Sequence, residues 1–72
     1  MRNVHVGETF SCSYPSSSTG RHTTRANMIF DGLMKNGNGV VVRFFNPEKR
    51  KTEYRSFLFS RMSLIRPVKF VE

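Results

Sequence analysis

At 72 residues, 38% of them hydrophobic, the chain has material for one modest core, because a domain of this size buries only about 60% of the surface its unfolded form exposes. A deep catalytic cleft between two domains is thereby excluded, and any site is a surface groove, a barrel mouth or an interface with a second copy. Twelve Lys and Arg against five Asp and Glu give a net charge of +7, a field that attracts polyanions without specifying which.

Val4, Val6, Phe10, Cys12 and Tyr14 share one parity, interrupted by Glu8, while His5, Thr9, Ser11 and Ser13 share the other. That period of two predicts one half-buried strand over residues 4–14. Residues 15–20 (Pro-Ser-Ser-Ser-Thr-Gly) contain nothing apolar and predict a loop. Alternation resumes from Arg21 to Phe30, with Thr24, Ala26, Met28 and Phe30 on one side. Arg21, Thr23, Arg25 and Asn27 fall on the other, predicting a second strand that is basic outside.

Asp31-Gly32 predicts a bend, Leu33-Met34 a short strand, and Asn36-Gly37-Asn38-Gly39 a tight hairpin turn, since Asn and Gly tolerate positive φ. The run Val40 to Phe45 predicts a central strand buried on both faces and interrupted by Arg43. Asn46-Pro47-Glu48-Lys49 predicts the next turn, and Lys51 to Ser60 a strand that pairs back antiparallel. Arg61 to Leu64 is expected as a helical turn, and Val68 to Val71 as a short closing strand that pairs within the chain or with a second copy, a homodimer. No segment keeps helical spacing for twelve residues. The expected fold is all-β, a small antiparallel barrel or rolled sheet of five or six short strands in one domain.

Between Arg43 and Lys69 stand eight basic residues and two acidic ones, 8 − 2 = +6, so the positive charge is concentrated there. Within it, Arg55, Phe57, Phe59 and Arg61 would share one side of an extended strand, two cations bracketing two rings. Such a face either caps a small core or offers guanidinium and ring planes to a flat anionic ligand. Phe57 and Phe59 stay open between core and ligand platform, and Arg43, Arg55 and Arg61 between phosphate contacts and solvated edge charges. Lys49, Arg50 and Lys51 sit at a hairpin tip, where a charge run contacts phosphate, docks on an acidic protein or simply guards an edge.

Catalytic chemistry finds no constellation. His5, Cys12 and His22 fall on separate elements with no companion ligands, the carboxylates Glu8, Asp31, Glu48, Glu53 and Glu72 show no pairing, and no cofactor is expected. Gly37-Asn38-Gly39 lacks the third Gly of a dinucleotide loop. Cys12 is the only cysteine, which excludes an internal disulfide and favours a reducing, cytoplasmic setting. No stretch is apolar enough for a signal peptide or a bilayer span.

An apolar strand from Phe10 to Tyr14, the turn Thr19-Gly20, Arg25, the Leu33 to Gly37 hairpin, the trio Val40 to Val42, the turn Asn46-Pro47-Glu48 and the closing segment Arg55-Ser56-Phe57-Leu58-Phe59-Ser60-Arg61-Met62 follow one another in a familiar order. In that order, over residues 10–68, the chain resembles the WYL domain, an Sm-like or SH3-like β-barrel of bacterial transcription regulators and of CRISPR-associated and phage proteins. Where that family carries Trp-Tyr-Leu, this chain has Gly39-Val40-Val41, and the Pro that follows the family's Arg strand is absent. The preceding helix-turn-helix of the regulators is also missing, so duplex reading by that route is not expected.

The resemblance implies that Tyr14, Arg25, Arg55 and Arg61 line a groove holding nucleic acid or a nucleotide-like signal, as Arg forks grip phosphates and planar groups stack on bases. The expected function is a non-enzymatic, regulatory binding module for nucleic acid or a nucleotide. The alternative is a phage or mobile-element factor that binds a host protein or sequesters a nucleotide defence signal.

Overall fold

The computed structural model describes every residue, 1–72, and its backbone is predominantly extended. The strands are β1 (Arg2–His5), β2 (Thr9–Pro15), β3 (His22–Leu33), β4 (Gly39–Asn46), β5 (Lys51–Leu58), β6 (Ser63–Leu64) and β7 (Val68–Val71), with one 3-10 turn at Phe59–Arg61. Five of them form an antiparallel sheet in the order β5-β4-β3-β2-β6, and β1 and β7 form a parallel pair. The all-β class follows from the alternation, with seven strands where five or six were expected.

Seven apolar side chains are buried: Val4, Phe10, Cys12, Phe30, Val40, Val42 and Phe57. Phe70 of β7 lies against this core, its ring 4.9 Å from Phe10, 5.0 Å from Phe30 and 6.0 Å from Phe59. The β1–β7 pair thus lays Val4 and Phe70 against the five-stranded sheet, where each buried side chain contributes about 1.5–3 kcal/mol. At the other end of the core, Tyr14 of β2 stacks on Phe57 of β5, centroids 4.3 Å apart and planes at 14°. Its hydroxyl accepts a hydrogen bond from the Leu58 N–H at 3.1 Å. The sheet therefore curls far enough for β2 to meet the outer edge of β5.

Several boundaries differ from expectation, each for a local reason. The strand expected over 4–14 is two strands, because Gly7 takes φ +93 and the Glu8 carboxylate accepts the His5 N–H at 2.7 Å, closing a turn. The separate Leu33-Met34 strand is the end of β3, which passes a second irregularity between Phe30 and Gly32. β4 is buried on one face only: Val40 and Val42 are inside, whereas Val41 is half-buried and Phe45 is 61% exposed. β5 stops at Leu58, the 3-10 turn comes two residues earlier than expected, and Ser63–Leu64 is a strand pairing with Cys12 and Ser13. β7 finds its partner inside the chain, in β1.

The largest difference is in β3. Phe10 pairs with Met28 and Cys12 with Arg25, so Ser11 alone on β2 opposes both Ala26 and Asn27 on β3. That is a β-bulge, and Asn27 adopts φ +56, a conformation Asn tolerates better than most residues. The extra residue reverses the parity of everything before it. Arg25, expected on the outer basic side, turns to the inner face opposite Cys12.

Candidate anion-binding face

The inner face of the sheet is apolar at its centre and cationic toward one rim. Tyr14 and Phe57 form the hub. Arg61, in the 3-10 turn, lays its guanidinium over the Tyr14 ring, 5.9 Å from the centroid. Arg55 is the next inward-facing residue from Phe57 on β5, opposite Val42, and its guanidinium lies 5.7 Å from the centroid of Phe44. Arg25 faces Cys12, one inward position along β3 from Thr23, the partner of Tyr14. Each of the three arginines is therefore within one inward-facing step of the Tyr14–Phe57 pair, or directly over it.

Their electrostatic state is alike. Only Arg43–Asp31 and Lys49–Glu53 come within ion-pairing distance, both at 3.6 Å. Arg25, Arg55 and Arg61 have no carboxylate partner, and the Arg25 Nε is buried with no hydrogen-bond acceptor, a state folded proteins seldom leave unanswered. Glu53, two residues from Arg55, is engaged by the Asn46 side-chain amide at 3.1 Å and by Lys49. Burial pushes the Cys12 thiol above its ordinary pKa, opposed by the positive charge of Arg25. Cys12 is accordingly a protonated core residue and a poor nucleophile.

The remaining sequence-derived residues separate from this group. Arg43 projects to the opposite face, opposite Tyr54, and pairs with Asp31. Lys49, Arg50 and Lys51 occupy the β4–β5 hairpin, Lys49 drawn toward Glu53 and Arg50 at φ +51. Phe57 is buried against the core and contributes only through its stack with Tyr14. The single face of Arg55, Phe57, Phe59 and Arg61 does not form as a strand, because the backbone turns at Phe59. Phe59 instead sits beside Phe70 and is 40% exposed. Sequence reasoning missed Phe44 as the ring beneath Arg55, although its parity with Val40 and Val42 on β4 places it on the inner face. It also missed a groove at Arg2 and Arg66, built from segments too distant in sequence to be associated by pattern.

No group of three or more His, Cys, Asp or Glu is placed to hold a metal ion, and no helix is long and apolar enough to cross a membrane. No protein-family model, curated protein or solved structure matches the chain.

Proposed function

We propose that the chain is a non-enzymatic, cytoplasmic binding module that takes nucleic acid or a nucleotide-type ligand on its inner rim, with Arg25, Arg55 and Arg61 gripping phosphate. The observation that carries this reading is that three arginines face inward with no carboxylate partner, Arg61 over Tyr14, Arg55 over Phe44 and Arg25 opposite Cys12. Phosphate oxygens satisfy guanidinium donors in pairs, and the exposed side of Arg61 offers a plane on which a base can stack.

We further propose that the sheet is an SH3/Sm-like barrel, closed by the Tyr14 link between β2 and β5, in the manner of a WYL domain. The departure at the naming motif has a steric cause. A Cβ on Gly39 would lie 2.0 Å from the Phe57 carbonyl oxygen, so this backbone has no room for a large ring there.

The test is fluorescence anisotropy of labelled single-stranded and duplex oligonucleotides at several salt concentrations. Arg55→Ala with Arg61→Ala is expected to lower affinity about tenfold or more and, on a single strand, to flatten the log–log salt slope by about 1.4, two contacts at ~0.7 each. Unaltered affinity and slope in a folded double variant overturn the proposal. A second reading, a phage or mobile-element factor that docks on a host protein, draws on the other face, where Phe45 and Tyr54 are both 61% exposed around Arg43. Retention of one host protein in a pull-down after nuclease treatment, with no oligonucleotide binding, favours that reading instead.

A further inference from the structure

One cavity lies away from the Tyr14 hub. It is a groove of about 430 Å³, within the size range of small-ligand sites. One wall is the outward side of β2 and β3, where Thr9, Ser11 and Thr24 alternate with the inward residues and Asn27 stands at the bulge. The opposite wall is Arg2 and the segment from Ile65 to Val68, with Arg66 at its rim.

The chemistry of these walls is one-sided. No carboxylate lines the groove. The Arg2 guanidinium donates to the Thr9 carbonyl, which fixes it across the edge of β2. Arg66 makes no ion pair, and the side chains of Thr9, Ser11, Thr24 and Asn27 make no hydrogen bond within the chain. Three hydroxyls, a carboxamide and two guanidiniums thus converge on one space with most of their donors free. A tetrahedral oxyanion carrying three or four acceptor oxygens matches such a donor set. The apolar remainder, Phe10, Ile65 and Val68, gives an organic part a surface that a bare phosphate would not use.

We propose that this groove is a second, separate ligand site, for a small phosphomonoester of mononucleotide size. Arg66 and the Thr9, Ser11, Thr24 and Asn27 side chains hold the phosphate, Arg2 completes the positive field, and Ile65 and Val68 bear the organic part. The site is separate from Arg25, Arg55 and Arg61, none of which lines this groove. The Asn27 bulge serves both, turning Arg25 inward while presenting its own carboxamide outward.

The experiment is a titration of the ¹⁵N-labelled protein, at fixed ionic strength, with inorganic phosphate, adenosine monophosphate and adenosine. Saturable shifts of the Thr9, Ser11, Thr24 and Asn27 amides are expected with the monophosphate, weaker ones with phosphate and none with adenosine. Arg66→Ala, a change at an exposed residue, is expected to weaken the monophosphate about tenfold or more, the loss of one charge-assisted contact. Asn27→Gly keeps the left-handed backbone accessible and removes only the carboxamide, and a severalfold loss is expected. Arg55→Ala with Arg61→Ala is expected to leave this affinity within about twofold, since neither residue lines the groove. Shifts that grow linearly without saturating, equal affinity for phosphate and the monophosphate, or a full response in folded Arg66→Ala protein would each overturn the assignment. So would loss of the response in the Arg55/Arg61 variant, which would place the ligand on the inner rim.

Discussion

Replacing Tyr14 with Phe isolates the contact that joins β2 to β5. The substitution removes one oxygen atom, leaving a ring free to keep its 4.3 Å stack on Phe57 and its place beneath Arg61. What is lost is the acceptor for the Leu58 N–H at 3.1 Å. That amide points off the outer edge of β5, because the next one, Phe59 N–H, bonds back to the Asn38 carbonyl, and no other strand flanks β5 on that side. An orphaned, buried donor costs about 1–3 kcal/mol. Leu58 is half-buried, so about 1–2 kcal/mol is expected, a fall in Tm of about 5–15 °C for a domain this small. Urea unfolding gives the first number and hydrogen exchange gives its location: protection of the Leu58 amide should fall about tenfold while β2–β3 amides change only with global stability. A variant within ~0.3 kcal/mol of the parent, with Leu58 still protected, would refute the view that this hydroxyl secures the β5 edge.

Two further expectations concern the core. Burial raises the Cys12 pKa in the folded state, so the unfolded chain loses the thiol proton first and binds fewer protons in that range. Stability must then fall as pH rises past the ordinary thiol value of about 8.5, and the same pH step should cost less in Cys12→Ala; equal pH dependence of urea unfolding in both proteins would contradict this. Gly39→Ala sets a Cβ 2.0 Å from the Phe57 carbonyl oxygen and 2.8 Å from the Met34 sulfur, and a loss of about 2–3 kcal/mol or more is expected by thermal melting. A shift below about 0.5 kcal/mol would mean that the β4–β5 pairing yields there easily.

The class of the fold was readable because period-two alternation is a local signal, displayed over residues 4–14 and 21–30, and because Val40 to Phe45 is a short apolar run bounded by turn residues. The turns were readable for a chemical reason as well. The Asn46 side-chain oxygen accepts the Glu48 N–H at 3.0 Å, and the Asn36 oxygen accepts the Asn38 N–H at 3.0 Å, the Asx geometry that such residues favour. What parity could not supply was any point where the count of residues on paired strands differs. Asn27 lies in an unbroken alternating run, and nothing within β3 reveals that Ser11 alone will face two residues. Pairings of distant segments were equally hidden: β6 is two residues long, and the parallel β1–β7 pair joins the two ends of the chain.

That one miscounted residue bears on the site more than any boundary error. With regular alternation Arg25 would stand outside among Arg21 and Thr23, solvated and indifferent to the core. With the bulge it stands against Cys12 and its Nε is buried without an acceptor. A buried Nε without an acceptor costs free energy in the isolated domain. An anionic ligand seated on the rim would, on the proposed reading, supply that acceptor. On the proposed reading, the domain therefore gives up some intrinsic stability at the rim, and ligand restores it by mass action, about 2.7 kcal/mol at a hundred times Kd. A core of seven buried residues has little stability in reserve. If the proposal holds, folding and ligand capture are thermodynamically coupled, and the coupling passes through the backbone at Asn27.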